Sequence, residues 1–338
     1  MAAEELRTSA SVAPLWAEKL LQQQASGARF DAVVAQDGTG TFTTITKAIA
    51  AAPQKSAKRY TIYVKRGVYD EILRISSDTW NLALVGEGMD VTVITGNRSV
   101  DSYKMPETAT LGVDGAGFMA HDLTIRNTAG PDKNQSVALR STSSKSVLFR
   151  CALEGYQDTL YAQHDLQFYS HCKISGTVDF IYGDATAVFQ RCLLVVRVPR
   201  LGQQNVLTAQ GRDNGRTTSG FVFQFCNVTG DALLLEKGVQ TYLGRPWKNY
   251  SRTVFMECSM DSVVHPMGYL PWRGTDGLAT LYYAEYNNTG PGSDTTGRVK
   301  WPGFHVIGAA EASKFTVASF IFGGTWLPSI GVEFTPGL

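Results

Sequence analysis

Residues 146–192 read SVLFRCALEGYQDTLYAQHDLQFYSHCKISGTVDFIYGDATAVFQRC, and this stretch decides the fold because it repeats itself. Its cysteines recur after 21 and then 20 residues, at Cys151, Cys172 and Cys192. A large apolar residue precedes each of them by three positions. A repeat of about 20 residues that is rich in β-forming residues and glycine is typical of a β-solenoid, in which equivalent positions of successive coils stack. We therefore expect an all-β solenoid.

Two carboxylates share one phase of this repeat. Asp158 follows Cys151 by seven residues, and Asp179 follows Cys172 by seven. Neighbouring strands lie roughly 4.7–4.9 Å apart, so the spacing predicts that the two aspartates stack within about 5 Å of each other. Two carboxylates this close do not easily both ionise, so one pKa rises while the other stays low. The pair would provide one acid and one base or nucleophile, although an aspartate in a turn commonly bonds only to the backbone.

All five cysteines follow this phase, and the last two are Cys226 and Cys258. They are expected to form a buried stack of small side chains or, alternatively, one or two disulfides between coils, with Cys192–Cys226 the first pair to test. The odd count leaves at least one thiol free. Because no C-x-x-C or C-x-x-H spacing occurs, no zinc site is expected. Counting three residues from Phe118 makes His121 the cysteine-equivalent residue of an earlier coil.

Charge and hydropathy exclude several classes of protein. The 338 residues include 31 basic and 30 acidic ones, so the chain lacks the basic excess of a nucleic-acid-binding or membrane-surface protein. The sequence contains no apolar run of 18 or more residues, so it predicts no transmembrane helix. The N terminus lacks a secretory apolar region, yet five N-x-[ST] sequences favour a secreted protein whose leader has been removed. They begin at Asn97, Asn134, Asn227, Asn249 and Asn287.

A single solenoid domain is expected over residues 31–338, after an N-terminal extension at residues 1–30. The extension contains a short amphipathic helix, near Pro14–Gln24, that would cap the open end of the coil. Proline and glycine near the C terminus predict an extended tail packed on the outside. The loops at 241–253 and 265–274 are expected to wall a binding groove, because binding residues commonly lie on loops of a rigid scaffold.

Three polar side chains are candidates to assist the two aspartates. Gln157 precedes Asp158, and Gln135 lies one coil earlier; glutamine amides donate hydrogen bonds without adding charge, which suits an oxyanion site. Arg245 can hold a carboxylate in two parallel hydrogen bonds and keep it ionised. Trp247, two residues later, offers a flat face for a sugar. The alternatives are ordinary surface glutamines, a surface ion pair, and a tryptophan that merely covers the solenoid edge.

Five segments in order resemble the signature segments of pectin methylesterases of the plant type. They are GVYDE (67–71), QSVALR (135–140), GYQDTLY (155–161), DFIYG (179–183) and YLGRPW (242–247). The resemblance runs from about Phe30 to Leu338 and covers the mature catalytic domain. It implies a right-handed parallel β-helix that hydrolyses the methyl esters of homogalacturonan, yielding pectate and methanol.

The same resemblance implies a role for each candidate residue. Asp179 would be the nucleophile, and Asp158 the general acid that later serves as base. Gln135 and Gln157 would stabilise the oxyanion, and Arg245 would hold Asp179 ionised. No cofactor or metal is implied. The implied substrate groove is lined by Thr110, Gln135, Phe180, Arg245, Trp247 and Tyr269, where Tyr269 replaces the tryptophan that is usual in the family.

Three other functions are open to a solenoid of this kind. A pectin lyase would need clustered acidic calcium ligands, and a galacturonase would need carboxylates roughly 6.5–9.5 Å apart. A non-catalytic pectin-binding solenoid would not need a stacked pair of carboxylates. The expected partners are pectin and a proteinaceous inhibitor, the expected state is a monomer, and the expected location is the cell wall.

Overall fold

The computed structural model describes residues 30–338, except for the side chains of residues 235–237. The predicted helix near Pro14–Gln24 lies outside the described residues, so its capping role stays a prediction. The division into an extension and one domain also stays a prediction. The first described strand, Ala32–Val34, lies within the segment 31–36 that reads as a strand in the sequence.

The chain coils through three parallel sheets, and nearly every coil contributes one strand to each sheet in turn. Sheet 1 has eleven strands, which are β1 Ala32–Val34, β2 Tyr60–Val64, β5 Leu82–Val85, β8 Met119–His121, β11 Ser146–Phe149, β14 Leu166–Ser170, β17 Thr186–Gln190, β20 Gly220–Gln224, β23 Arg252–Met256, β25 Tyr282–Tyr286 and β26 Phe304–Val306. Every strand pair in it is parallel.

Sheets 2 and 3 complete the coil. Sheet 2 consists of β3 Gly67–Asp70, β6 Thr92–Gly96, β9 Thr124–Asn127, β12 Ala152–Glu154, β15 Lys173–Gly176, β18 Leu193–Val196, β21 Asn227–Gly230 and β24 Ser259–Met260. Sheet 3 consists of β4 Leu73–Ile75, β7 Leu111–Val113, β10 Leu139–Ser141, β13 Leu160–Ala162, β16 Ile181–Gly183, β19 Asn205–Gln210 and β22 Thr241–Gly244. The predicted right-handed parallel β-helix is confirmed, and right-handed crossovers are the rule for parallel strands.

Helices are short and lie outside the coil. They are α1 Ile45–Ala50, α2 Ala232–Lys237, α3 Ala309–Ala312 and α4 Val317–Phe320, with 3₁₀ turns at Met105–Thr108, Pro291–Ser293, Ser313–Phe315, Gly323–Thr325 and Pro328–Ile330. The Thr44 side chain caps α1 by accepting a hydrogen bond from the Lys47 amide. Ile45, Ala48 and Ile49 of α1 pack into the main core. This helix therefore covers apolar side chains at the N-terminal coils.

Aromatic rings stack inside the coil at the phase that the sequence predicts. Tyr169, Phe189, Phe223 and Phe255 form a ladder with 4.6 Å between successive ring centroids. The rings lie within 12° of parallel. Each such contact is worth about 0.5–1.5 kcal/mol beyond burial alone. The ladder holds the register of neighbouring coils, on which the alignment of the two aspartates depends.

All five cysteines are buried free thiols in the structure, so the buried-stack interpretation fits and the disulfide alternative does not. At the proposed Cys192–Cys226 pair, the Cys192 amide instead donates to Cys226 Sγ at 3.4 Å. The residue before each cysteine has a positive φ, which turns the chain sharply from sheet 1 into sheet 2. These turn residues are Arg150, His171, Arg191, Phe225 and Glu257.

The assignment of His121 as a cysteine-equivalent residue was wrong. His121 pairs with Phe149, and Thr124 pairs with Ala152, which makes Leu123 the equivalent of Cys151. The reason is that Ala120, and not Phe118, occupies the ladder position on β8. A small residue at that position left no aromatic signal in the sequence.

The C-terminal segment packs against the outer face of sheet 1, as expected. It is less extended than predicted, because helical turns occupy much of residues 309–330 before an extended end at 331–338. Phe315, Ile321 and Leu327 from this segment join a second apolar cluster with the valines of sheet 1. The last residues are also fixed by polar bonds, since the Gln190 side chain donates to Thr335 O at 2.9 Å and accepts from its amide at 2.9 Å.

Candidate active site

Asp158 and Asp179 lie on neighbouring coils at one phase, as the spacing predicts. Strands β13 and β16 pair Leu160 with Ile181, two residues after each aspartate. The Asp158 amide donates to Val178 O at 3.0 Å, which joins the two turns directly. Both aspartates have positive φ, 62° and 51°, at the corner where sheet 2 passes into sheet 3. Aspartate tolerates this conformation better than most residues, and it turns the chain sharply where both carboxyl groups are placed.

Arg245 binds only one of the two carboxylates. Its Nε donates to Asp179 Oδ1 at 2.8 Å and its Nη2 donates to Oδ2 at 2.5 Å, a planar two-point pair. The side chains are 27% and 7% exposed, so the pair is largely shielded from water. The backbone amide of Arg245 donates to Thr208 O at 2.9 Å and anchors the residue at the end of β22. Its guanidinium lies 4.5 Å from the ring centroid of Trp272.

This asymmetry separates the pKa values of the two aspartates. Burial raises the pKa of Asp158 well above its usual value, and the nearby charge of Asp179 raises it further. Burial also raises the pKa of Asp179, but the bonds and charge of Arg245 counteract the rise. Asp179 therefore loses its proton before Asp158 does. One carboxylate and one carboxylic acid in a single site can act as base or nucleophile and as acid.

Gln135 and Gln157 lie beside the acid pair on adjoining coils. The Ser136 amide, next to Gln135, donates to Gln157 O at 3.1 Å, so the two segments run side by side. Both glutamine side chains are half-buried. Asp158 follows Gln157 directly in the chain. Uncharged amide donors are therefore available on the residue before Asp158 and on the adjoining coil.

The turn that carries Gln157 and Asp158 is held by an arginine from a later coil. Arg197 donates from Nη1 to Gly155 O at 2.9 Å and from Nη2 to the Tyr156 hydroxyl at 2.8 Å. Its guanidinium also lies 4.0 Å from the Tyr156 ring centroid. Arg197 therefore positions the backbone immediately before Gln157 and Asp158. No motif in the sequence pointed to this role.

An aromatic patch covers the outer face of sheet 3 next to the acid pair. The rings of Tyr161 and Tyr182 stack with 4.3 Å between centroids, and Trp247 contacts Tyr182 edge-on at 6.0 Å. Trp247 approaches closely because Gly211 has no side chain; a Cβ there would lie 2.6 Å from Trp247 Cε3. Trp272 packs against the same patch. Trp247 and Trp272, the half-buried members of the patch, can stack on the apolar faces of sugar rings.

Comparison with known proteins adds to this geometry. The pectinesterase family model matches residues 31–324. This chain belongs to the pectinesterase family. A pectin methylesterase from carrot superposes with a TM-score of 0.90 and 45% identity, covering 91% of this chain and 98% of that one. A pectin methylesterase from Aspergillus niger superposes with a TM-score of 0.75 and 30% identity, covering 87% of this chain and 95% of that one.

Two curated plant relatives are longer than this chain, which matches only part of each. Probable pectinesterase/pectinesterase inhibitor 32 of Arabidopsis thaliana is 54% identical over 91% of this chain and 59% of its own length. Pectinesterase/pectinesterase inhibitor PPE8B of Prunus persica is 51% identical over 95% of this chain and 63% of its own length. The chain therefore spans about three fifths of the length of these relatives.

Three of the groove residues that the pectinesterase resemblance implied are buried in the structure. Thr110 is fully buried, and its hydroxyl donates to Arg126 O. Phe180 is fully buried in the main core, because it follows Asp179 and points to the opposite side of the coil. Tyr269 is fully buried against Tyr283, 4.9 Å away between ring centroids. None of the three side chains is exposed in the structure, and their role in substrate binding stays a prediction.

The half-buried aromatic on that loop is Trp272, three residues after Tyr269. Sequence reasoning also missed Tyr161 and Tyr182, which form the buried base of the aromatic patch, although each lies three positions after one of the aspartates. That shared offset was the available signal. Gln135, Arg245 and Trp247 remain half-buried and border the acid pair or the aromatic patch.

Residues 30–338 have neither a clustered set of metal-binding side chains nor a membrane-spanning helix. In this part of the chain, no three histidine, cysteine or acidic side chains come close enough together to hold a metal ion. No helix in the same residues has the length and apolar character to cross a bilayer.

Proposed function

We propose that this chain hydrolyses methyl esters of homogalacturonan, with pectate and methanol as products. The observation that carries the proposal is the stacked pair of aspartates, of which Arg245 binds only Asp179. Membership of the pectinesterase family and the similarity to the carrot enzyme support the same chemistry. A binding protein would have no use for two buried carboxyl groups with separated pKa values.

In the first half of the proposed reaction, an oxygen of the Asp179 carboxylate attacks the ester carbonyl carbon of a methylated galacturonate. Negative charge develops on the carbonyl oxygen, and the amides of Gln135 and Gln157 donate hydrogen bonds to it. The C–O bond to the methoxy group then breaks while Asp158 gives its proton to that oxygen. Methanol leaves, and Asp179 is linked to the sugar carboxyl carbon as an anhydride.

In the second half, water cleaves the anhydride. Asp158, now ionised, accepts a proton from a water molecule whose oxygen attacks the former ester carbon. The bond from that carbon to Asp179 breaks, which releases a galacturonic acid and restores the Asp179 carboxylate. Asp158 has regained its proton, so both residues return to their starting states. Arg245 favours Asp179 as the leaving carboxylate, because it stabilises the ionised form.

The proposed substrate groove runs over the aromatic patch. Gln135, Arg245 and Trp247 retain the binding role that the sequence suggested, and Trp272 takes the place expected for Tyr269. Methyl groups and sugar faces suit the apolar surface of Trp247 and Trp272, which pack half-buried against the stacked rings of Tyr161 and Tyr182. The patch thus favours esterified over ionised galacturonate beside the acid pair.

The setting proposed for this activity is the plant cell wall, reached by secretion as a monomer. Four of the five glycosylation acceptor asparagines are exposed, as modification requires. The fifth, Asn227, is half-buried. Two relatives carry the name pectinesterase/pectinesterase inhibitor, which supports a proteinaceous inhibitor as a partner. Such an inhibitor would have to cover the groove over sheet 3.

Methanol release from methylated pectin tests the proposal. Asp179→Ala should reduce release by about 10⁴-fold or more, because it removes the nucleophile. Asp132→Ala, an exposed aspartate of the 128–138 loop, is the matched control and should leave release unchanged. Wild-type release by the Asp179 variant would overturn the assignment. Unsaturated products or new reducing ends without methanol would indicate a lyase or a galacturonase instead.

A further inference from the structure

A second cavity lies on the outer face of sheet 2, around the corner from the proposed groove. It has a volume of about 490 Å³. Its floor is a row of outward side chains from β9, β12, β15 and β18, namely Arg126, Glu154, Ser175 and Val195. The row crosses three strand spacings, about 14 Å, and ligand sites commonly have volumes of about 300–1,000 Å³. We call this feature the sheet 2 cavity.

The loops at the corner between sheets 2 and 3 close the ends of the sheet 2 cavity. Thr128 and Gly130 line one end, and Arg197 and Asp231 line the other. Tyr156 also lines it, directly before the functional turn of Gln157 and Asp158. The cavity is therefore separate from the aromatic patch but shares one wall with the acid pair.

Positive charge exceeds negative charge in the sheet 2 cavity. Arg126 Nε lies 2.7 Å from a Glu154 oxygen, and Lys173 Nζ lies 3.7 Å from the other, so two cations share one carboxylate. Arg197 bonds to a carbonyl and a phenol, both uncharged. Asp231, the second acid in the lining, uses a carboxylate oxygen to cap α2 at the Leu234 amide. Three cations against two acids leave one positive charge.

The cations of the sheet 2 cavity are also accessible. The side chains of Arg126 and Lys173 are 41% and 44% exposed, so their unused donors face solvent rather than protein. Guanidinium and ammonium groups bind carboxylates, and the hydroxyls of Thr128 and Ser175 can bond to sugar hydroxyl groups. A short anionic oligosaccharide has both kinds of group.

We propose that the sheet 2 cavity binds de-esterified galacturonan through its carboxylates. The proposal rests on the function proposed above, because a polyuronate is the product of that reaction. The two sites then have opposite preferences. The groove over sheet 3 presents apolar surface to esterified residues, and the sheet 2 cavity presents cations to residues that have lost their esters. Product bound there keeps the polymer attached next to the acid pair.

Calorimetric titration of the whole protein with unesterified trigalacturonate, at low salt and with a chelator, tests this site. We expect two binding events with wild-type protein. The variant Arg126→Gln/Lys173→Gln should lose one event or weaken it at least tenfold, while methanol release at saturating pectin stays unchanged. Trp247→Ala/Trp272→Ala should weaken the other event, because it changes only the groove.

Lys55→Gln/Arg66→Gln is the matched control, since it removes the same charge from ion pairs on N-terminal coils. It should retain both events. A single event that the Arg126→Gln/Lys173→Gln change does not affect would overturn the proposal, and so would equal weakening by the control. Failure of the proposed function is separate: methanol release would be absent while the trisaccharide still bound to the sheet 2 cavity.

Discussion

Two carboxylate–arginine pairs in this molecule have the same chemistry and different surroundings. Arg245 binds Asp179 through Nε and Nη2, and Arg298 binds Glu285 through the same two atoms, at 2.7 and 3.2 Å. The side chains of Arg298 and Glu285 are 1% and 2% exposed, whereas Arg245 is 27% exposed. Both pairs are two-point contacts, so geometry alone does not distinguish them.

The difference lies in what else each pair contacts. Arg298 uses its remaining donors on the carbonyl oxygens of Pro266 and Gly292, at 3.0 and 2.7 Å, so its hydrogen bonds are satisfied by protein. Beside Asp179 stands a second carboxyl group, Asp158, whose pKa is raised by burial and by that charge. The Arg298–Glu285 pair is therefore completed by protein groups, whereas the Arg245–Asp179 pair lies beside a second carboxyl group that it does not bind.

The largest expected effect breaks the acid pair. Asp158→Asn removes the proton donor and should lower kcat by about 10²–10⁴-fold in methanol-release assays. The same change should stabilise the fold at pH 7. Folding raises the pKa of Asp158, so the folded state holds this proton more tightly than the unfolded state. The resulting stabilisation is complete below the pKa of the unfolded state and is lost as pH rises through the pKa of the folded state. Asparagine does not titrate and avoids this loss.

Chemical denaturation at two pH values checks that second effect. At pH 7 the asparagine variant should exceed wild type by about 1 kcal/mol or more, since each tenfold change in the dissociation constant is worth about 1.4 kcal/mol. The difference should shrink near pH 4. An equally large gain at both pH values would contradict the titration of Asp158 as its cause.

Removing one arginine from each pair compares the two regions directly. Arg298→Met leaves Glu285 buried without its partner and should cost about 3–5 kcal/mol of unfolding free energy, with little change in kcat of the folded protein. Arg245→Met should cost less stability and far more activity. Thermal unfolding and kinetics on the same samples measure both. The comparison fails if the two variants lose activity equally.

A smaller effect concerns the pH profile. Arg245 favours the ionised form of Asp179 against the effect of burial, so Arg245→Gln should raise the pKa of Asp179. The acid limb of kcat/KM should move upward by about 1–3 pH units. The alkaline limb, assigned to Asp158, should move much less. An unchanged acid limb would mean that Asp179 is not the group whose ionisation controls the rate.

The smallest effect distinguishes the two aromatic residues of one loop. Trp272→Ala should raise KM about two- to tenfold, the value of one lost aromatic contact, with kcat less affected. Tyr269→Phe keeps the buried ring and should leave KM for pectin unchanged. A rise in KM for the tyrosine variant alone would restore the assignment made from the sequence.

Much of the fold and of the candidate site could be predicted from periodicity. A repeat of 20 or 21 residues carries its own register, because parallel strands stack equivalent positions one spacing apart. Counting residues from cysteine to cysteine was enough to predict that Asp158 aligns with Asp179. The same count predicted the aromatic ladder. The count failed at His121, where Ala120 took the ladder position and the coil differed in length.

The sequence by itself determined which residues share a phase, and so the coil, the ladder and the stacked acids. Only the tertiary structure decided which of the side chains near these equivalent positions faces the groove. Phe180 and Tyr269 joined the main core, whereas Tyr182 and Trp272 joined the aromatic patch on sheet 3. It also decided which aspartate Arg245 binds, and that Arg197 holds the functional turn beside a cationic cavity. The physical reason is distance along the chain: period fixes contacts between adjacent coils, whereas loops of irregular length fold over the coil according to packing that no repeat encodes.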